Sequence, residues 1–240
     1  MYEEYPELGR RLAALKLGHY LEFGCGDGTF LKYILNQNKS FQSIAAVDIN
    51  PGSVALARNK LDDYAIDFII QETLPLAFDK HHFSAITLSN TLHHIRDKAA
   101  VLNELKRLLK PGGQIIVTEM ISNELSEAEL TYFKLHCLRA DIDRNNQIYH
   151  DATYASHEIE GMIKETGLRI LSKAIILNEK IGGVDETEIQ SVTASLEEMI
   201  ANESLSPGFE ELKQKAQSVK DSLLQFGIKR PRQIYLEVAL

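Results

Sequence analysis

Between Leu21 and Gly28 the chain reads LEFGCGDG, three glycines at alternate positions behind an apolar run that carries one acid. The whole 240-residue chain has 14 glycines, so three in one turn mark a place where the backbone must pass close to something. That something is either a neighbouring element, as in any tight strand-to-helix turn, or a ligand at a helix N-terminus. Glu22 precedes the glycines, and Asp48 closes a second apolar run further on. In an open α/β sheet an acid at the end of the second strand meets ribose hydroxyls. The spacing G-x-G-x-G is one residue shorter than the G-x-G-x-x-G of pyrophosphate binders. Asp27 adds a negative charge inside the loop. These residues suit a ligand with an adenosine, a carboxylate and a positive centre better than a dinucleotide.

Histidines are the other candidates for chemistry. His93 and His94 follow the fourth apolar run, and either cap that loop or supply a base. The segment HCLRADIDRNNQIYHDATY holds His136, Asp141, Asp143, Tyr149, His150, Asp151 and Tyr154. It reads as a solvated polar loop or as an acid–base and acceptor-binding site. A metal site of His136, His150 and an aspartate is the least favoured reading, because no compact ligand spacing is present, and no metal is expected. His94 and His150 are the acid–base candidates carried forward. Cys25, between two glycines, reads as a small side chain tolerated in a tight turn rather than a reactive thiol.

The elements that must hold these groups alternate. Apolar runs at 17–23, 43–47, 66–70, 83–88 and 114–120 predict strands, and 28–38, 52–61 and 98–109 predict helices. Asn50-Pro51 supplies an N-cap and an N1 proline. Continuous apolar strands alternating with helices signify a parallel sheet covered on both faces. Beyond it a helix is expected over 125–139, a polar loop over 140–154, a helix over 156–166, and strands over 168–177 and 233–240. Between those last strands lies a long connection. One helix is expected over 185–201, with Asp185 and Glu188 in capping-box spacing. A second starts at Ser206-Pro207, with a seam of Phe209, Leu212, Ala216, Val219, Leu223 and Phe226. The expectation is one domain over 1–240 with a helical hairpin inserted over 178–232. The hairpin, 185–226, is either simple packing, a lid or a homodimer interface.

Composition bounds the partners. The net charge of −8 disfavours nucleic acid, which needs a surplus of Lys and Arg. Two cysteines give no disulfide framework, the first residues lack an apolar leader, and no apolar run spans a membrane. A cytoplasmic protein without membrane partners is expected.

The stretch from about Gly18 to Met120 resembles the class I S-adenosylmethionine-dependent methyltransferases, most closely the small-molecule branch with the quinone-biosynthesis C-methyltransferases. LEFGCGDGTF is similar to the family's first motif, AVDINP to its second-strand acidic motif, LSNTLHHIRD to its fourth-strand motif, and LKRLLKPGGQIIVTE to its fifth-strand region. The resemblance implies a Rossmann-like, doubly wound, seven-stranded, mostly parallel sheet with an antiparallel last strand. It implies S-adenosyl-L-methionine as cofactor and a small-molecule methyl acceptor. By position, Gly24, Cys25, Gly26 and Gly28 line the methionine part and Glu22 holds its cationic amino end. Asp48 takes the ribose hydroxyls, Ile49 packs on adenine, and Ser89 and Asn90 face the sulfonium. The family often has an Asp on the adenine amino group where this chain has Gln71, whose carbonyl can accept that bond, with Glu72 as a substitute. A non-catalytic cofactor-binding or scaffold protein, and a methyltransferase acting on a macromolecule, remain alternatives. A nicotinamide-dependent dehydrogenase fits the loop poorly.

Overall fold

A computed structural model of the chain describes residues 2–180, 184–206 and 208–240. These residues group into two compact units. The first unit comprises 1–119, 156–177 and 233–240, and the second 120–155 and 178–232. Where the sequence suggests an inserted hairpin alone, the second unit takes in the preceding segment as well.

The first unit is built on strands β1 (Gly18–Phe23), β2 (Phe41–Asp48), β3 (Ile66–Ile70), β4 (Phe83–Ser89), β5 (Leu109–Met120), β6 (Arg169–Ile176) and β7 (Gln233–Ala239). Their order is β3-β2-β1-β4-β5-β7-β6. The pairs β1–β2, β1–β4, β2–β3 and β4–β5 are parallel, and β6–β7 is antiparallel. This is the doubly wound arrangement expected, with the strand order reversing between β1 and β4. A ligand crevice opens at such a switch point, beyond the carboxyl ends of the strands. The central strand β4 is buried nearly throughout, whereas the edge strands β3 and β6 have more exposed residues.

Helices α1 (Pro6–Ala13) and α2 (Thr29–Gln37) lay Leu8, Leu12, Phe30, Leu31, Ile34 and Leu35 into a core with Tyr20, Ile44, Ala46 and Ile116. Helix α3 (Pro51–Lys60) starts as expected, with the Asn50 side chain accepting from the Ser53 N–H at 3.0 Å. Asp97 caps α4 (Lys98–Leu108) in the same way, through the Ala100 N–H at 2.9 Å. Helix α6 (Ser156–Glu165) buries Ile159 and Ile163.

The second unit is helical. Helix α5 (Glu127–Asn145) starts in a capping box between Ser126 and Glu129, a signal the sequence reading missed. It runs six residues past the expected end, so His136, Asp141 and Asp143 stand on a helix and the polar loop is confined to 146–155. Asp185 caps α7 (Glu186–Asn202), but the Glu188 carboxylate pairs with Lys180 instead of returning to the cap. Pro207, expected to start the next helix, lies outside the described residues, as do 181–183 of the expected insertion. Helix α8 (Phe209–Phe226) packs with α5 and α7 through Leu135, Leu138, Ile142, Leu196, Leu212, Ala216, Val219 and Leu223. Glu129 is the polar joint of this unit. It accepts from the Arg232 backbone N–H at 2.9 Å and from its guanidinium at 3.0 Å, and its carboxyl is held below its ordinary value despite burial. Among the described residues no helix is long and apolar enough to cross a membrane.

Leu196 is the one fully buried side chain of α7. Leu196→Ala should cost about 2–4 kcal/mol of stability in denaturant unfolding. A loss under about 1 kcal/mol would show that α7 is not anchored there.

Candidate functional site

The site is built where β1 turns into α2. Side chains two apart on a strand share a face, so Tyr20 and Glu22 point the same way. The register of β1 on β4 sets Thr87 beside Glu22. The Tyr20 hydroxyl donates to Glu22 Oε2 at 2.5 Å, and the Thr87 hydroxyl donates to the same oxygen. Glu22 is fully buried, and its Oε1 finds no partner among the described residues. Burial pushes its carboxyl up to about 7, against the two hydroxyl donors that favour the charged form. Tyr20 is pushed up as well, first by burial and then by the Glu22 charge, so it remains a donor.

The glycines have different reasons. Gly24 has φ +76°, and a Cβ there would lie 2.3 Å from Thr91 Cγ2, so the loop after β4 closes directly on it. Gly26 has φ +50°, and a Cβ there would meet nothing within 4 Å and would project into open space. Gly28 packs against Ala57 of α3. The first and third therefore serve the fold, and the middle one leaves room for a ligand.

The loop's donors are largely committed. Gly24 and Cys25 N–H donate to the Val47 carbonyl, Gly28 N–H to the Cys25 carbonyl, and Thr29 N–H to Asp27. Asp48 accepts from Gly26 N–H at 2.7 Å and from Asn50 N–H at 2.9 Å. The N–H groups of Gly26, Gly28 and Thr29 are thus engaged within the fold rather than left to cradle a phosphate. Asp27 also differs from expectation. It pairs with Lys60 of α3 at 2.5 Å, half-exposed, so its charge is answered away from the loop. A carboxylate has about four acceptor sites, so Asp48 can hold the loop and still receive hydroxyls.

The remaining expected residues also belong to the first unit. Ile49 is 63% exposed, an apolar surface directly after Asp48. Gln71 turns its amide nitrogen to the Thr73 and Pro75 carbonyls, at 2.7 and 2.9 Å, which directs its oxygen away from them. Glu72 is exposed. The Cys25 thiol is buried and pushed up to about 12, by burial and then by the Glu22 and Asp48 carboxylates, so it is no nucleophile at neutral pH. At the end of β4, Ser89 Oγ accepts from the Thr118 hydroxyl at 2.9 Å, and Asn90 adopts φ +48°.

The histidine pair divides unequally. His94 is exposed, its ring tilted on that of His93 with centroids 4.3 Å apart. His93 is buried, and its Nδ1 lies 2.8 Å from Oε1 of the fully buried Glu119 on β5. The other Glu119 oxygen accepts from the Leu92 N–H at 3.0 Å, so one carboxylate fixes both the turn and the ring. The sequence reading missed Glu119, although an acid in the apolar run IIVTEM was the available signal. His150 belongs to the second unit, where its Nδ1 lies 2.5 Å from Asp143 Oδ2 and its ring meets that of His136 edge-on at 4.8 Å. Asp151 there accepts from both the Tyr149 and Tyr154 hydroxyls at 2.6 Å.

Comparison with known proteins finds similarity over part of the chain. Residues 21–115 match the family model described as a methyltransferase domain. The chain is 35% identical over 109 residues to the reducing polyketide synthase Preu2 of Preussia isomera, covering 42% of this chain and 5% of that protein. It is 34% identical over 80 residues to the ubiquinone/menaquinone biosynthesis C-methyltransferase UbiE of Shewanella frigidimarina, covering 32% of each. The chain thus spans a third or less of these two relatives. Among solved structures, an S-adenosylmethionine dependent methyltransferase from Mesorhizobium loti matches with a TM-score of 0.56 at 14% identity, over 98% of this chain and 96% of that one. That likeness is one of fold.

Glu22 generates a stability test. Its folded value of about 7 lies above the ordinary carboxyl value, so the folded chain keeps a proton that the unfolded chain releases. The resulting stability is complete below about pH 4.5 and is lost as pH rises through 7. The stability of Glu22→Gln relative to wild type should therefore grow by about 2–3 kcal/mol between pH 5 and pH 8 in denaturant unfolding. A difference independent of pH would mean that Glu22 ionises at no burial cost.

Proposed function

We propose that this chain, whose residues 21–115 match a methyltransferase domain, is a class I S-adenosylmethionine-dependent methyltransferase that methylates an acidic carbon of a small-molecule acceptor. The observation that carries transfer, rather than cofactor binding alone, is the buried His93–Glu119 pair just beyond β4.

The residues of the crevice fit the cofactor. Glu22 Oε1 is a buried acceptor suited to an ammonium group, and Gly26 leaves open space above the turn. Asp48 would receive the ribose hydroxyls, Ile49 would cover the adenine, and the Gln71 oxygen would accept from its amino group, with Glu72 beside it. Gly24, Cys25 and Gly28 shape the floor, while Ser89 and Asn90 stand on the sulfonium side. Bound there, S-adenosylmethionine supplies a methyl group already activated on a positive sulfur.

What remains for the protein is alignment and, for a carbon acceptor, removal of a proton. Glu119 holds the Nδ1–H of His93 and so sets the lone pair on Nε2. Nε2 takes the proton from the acceptor carbon. With that proton held on His93, the acceptor carbon would have an electron pair to offer the activated methyl group, and the carbon–sulfur bonding pair would leave with the sulfur. His93 replaces His94 in this role because it is the ring oriented by a carboxylate. The names of the polyketide synthase and C-methyltransferase relatives support a carbon acceptor. His150, with Asp143, is retained as a candidate acid–base pair of the second unit.

The partner assignments belong to the same reading. The net charge of −8 supports a small acceptor over nucleic acid, and the sparse cysteines support a cytoplasmic setting. Ile189, Val192, Met199 and Ile200 of α7 are only partly buried, which supports a homodimer through the 185–226 helices.

Two substitutions separate the roles. Asp48→Ala should weaken binding of S-adenosylhomocysteine by about 1.5–3 kcal/mol in calorimetry, through loss of charged hydrogen bonds. His93→Ala should leave that affinity in place and lower kcat by about 10²–10⁴. The assay follows transfer of labelled methyl from S-adenosylmethionine to hydroquinones and β-keto thioesters, with product analysis by mass spectrometry and NMR. Methylation on oxygen or nitrogen only, or full activity without His93, would contradict a carbon acceptor activated by this histidine.

A further inference from the structure

An ammonium group brought to Glu22 changes which form of that carboxyl group is favoured. Glu22 is fully buried, and no lysine or arginine among the described residues is buried with it. The Tyr20 and Thr87 hydroxyls both donate to Oε2, and Oε1 has no partner among the described residues. Two neutral donors on one oxygen answer only part of a buried negative charge. A carboxyl group so placed holds its proton to higher pH than an exposed one.

The neighbours on every side preserve this state. Within the sheet Glu22 stands between Ala46 of β2 and Thr87 of β4. On β1 the ionisable neighbour is Tyr20, pushed up by burial and so neutral. In the glycine turn it is Cys25, pushed up to about 12 and neutral as well. Helices α1 and α2 add Leu8, Leu12, Phe30, Leu31, Tyr33 and Ile34 to the core that holds Tyr20. The charges that act on the turn, Asp48 and Asp27, are both negative, and Asp27 is paired with Lys60. Burial, Thr87 and Tyr20 are the influences on Glu22, with no cation among them.

We propose that the amino-acid end of the cofactor expels a proton from Glu22 on binding, so that the crevice takes its cofactor in exchange for a proton and binds it more tightly as pH rises. This rests on the reading of the crevice as an S-adenosylmethionine site with Glu22 on the ammonium group. The ligand keeps its ammonium protons. The O–H bond of the Glu22 carboxyl group breaks, its electron pair stays on the oxygen, and the proton goes to solvent. The free chain then binds only through the fraction in which Glu22 is ionised. With burial holding that carboxyl group at about 7, affinity should rise about tenfold from pH 6 to pH 8. The proton that favours the free fold at low pH is thereby the one that opposes the ligand.

The test is calorimetry on the full chain at pH 6 and pH 8, each in two buffers of different ionisation heat, which counts the protons released. The probes are S-adenosylhomocysteine, which has the amino-acid end, and 5′-methylthioadenosine, which lacks it. At pH 6 the expected result is release of about one proton per S-adenosylhomocysteine bound and none per 5′-methylthioadenosine, with little release at pH 8. Glu22→Gln should bind S-adenosylhomocysteine without proton release and with equal affinity at both pH values. Retained release in that variant would overturn the assignment to Glu22. Binding by wild type with no release at pH 6, or with equal release for both ligands, would overturn the exchange without recourse to any variant, and would leave the cofactor reading intact. Failure of wild type to bind either ligand would overturn the cofactor reading itself.

Discussion

A fully buried carboxylate, holding two hydroxyl donors on one oxygen and, among the described residues, none on the other, is the constraint around which the turn after β1 is arranged. Burying Glu22 is unfavourable unless its charge is answered, and Tyr20 and Thr87 answer part of it. The strand period of two and the β1–β4 register supply both donors, so the sheet itself builds the cost and most of its compensation. The remaining oxygen is buried and has no partner among the described residues, and in the turn that follows β1 a Cβ on Gly26 would meet nothing within 4 Å. A cation delivered there would complete the set, whereas a phosphate would meet a negative group and a loop whose N–H donors are largely committed. The preference for a cationic amino-acid nucleoside is thus electrostatic, with the backbone providing clearance.

The acids of the first unit divide the remaining work by burial and partner. Asp48, half-buried, ties the glycine loop to β2 and retains acceptor capacity toward a sugar. Asp27, exposed, is paired with Lys60 and holds α2 to α3. Glu119, fully buried, fixes the turn that carries His93. Chemically alike in the sequence, these carboxylates act differently because their solvation and hydrogen-bond donors differ.

The parallel core was legible in the sequence because buried strands are nearly continuous apolar runs, and the third strand, Ile66–Ile70, matches residue for residue. Helix starts were legible where a cap is local, as at Asn50 and Asp185. The long α5 was not, because its second half carries Asp141, Asp143 and Arg144 at positions that look like loop until Lys215 and His150 are brought to them. The glycine turn and its two acids were readable from spacing. The long-range pairs around them were not. Glu119 and His93 are 26 residues apart and Tyr2 and Ser89 are 87 apart, and only the fold makes either pair neighbours. The choice of His93 over His94 depends on burial, which two adjacent histidines cannot reveal in sequence.

The central claim concerns what the crevice holds, and calorimetric titration of the purified chain at pH 8 with S-adenosylhomocysteine and with NAD addresses it directly. The account predicts saturable binding of S-adenosylhomocysteine at one site per chain and none of NAD at comparable concentration. Tighter binding of NAD, or no binding of the sulfur nucleoside, would contradict it.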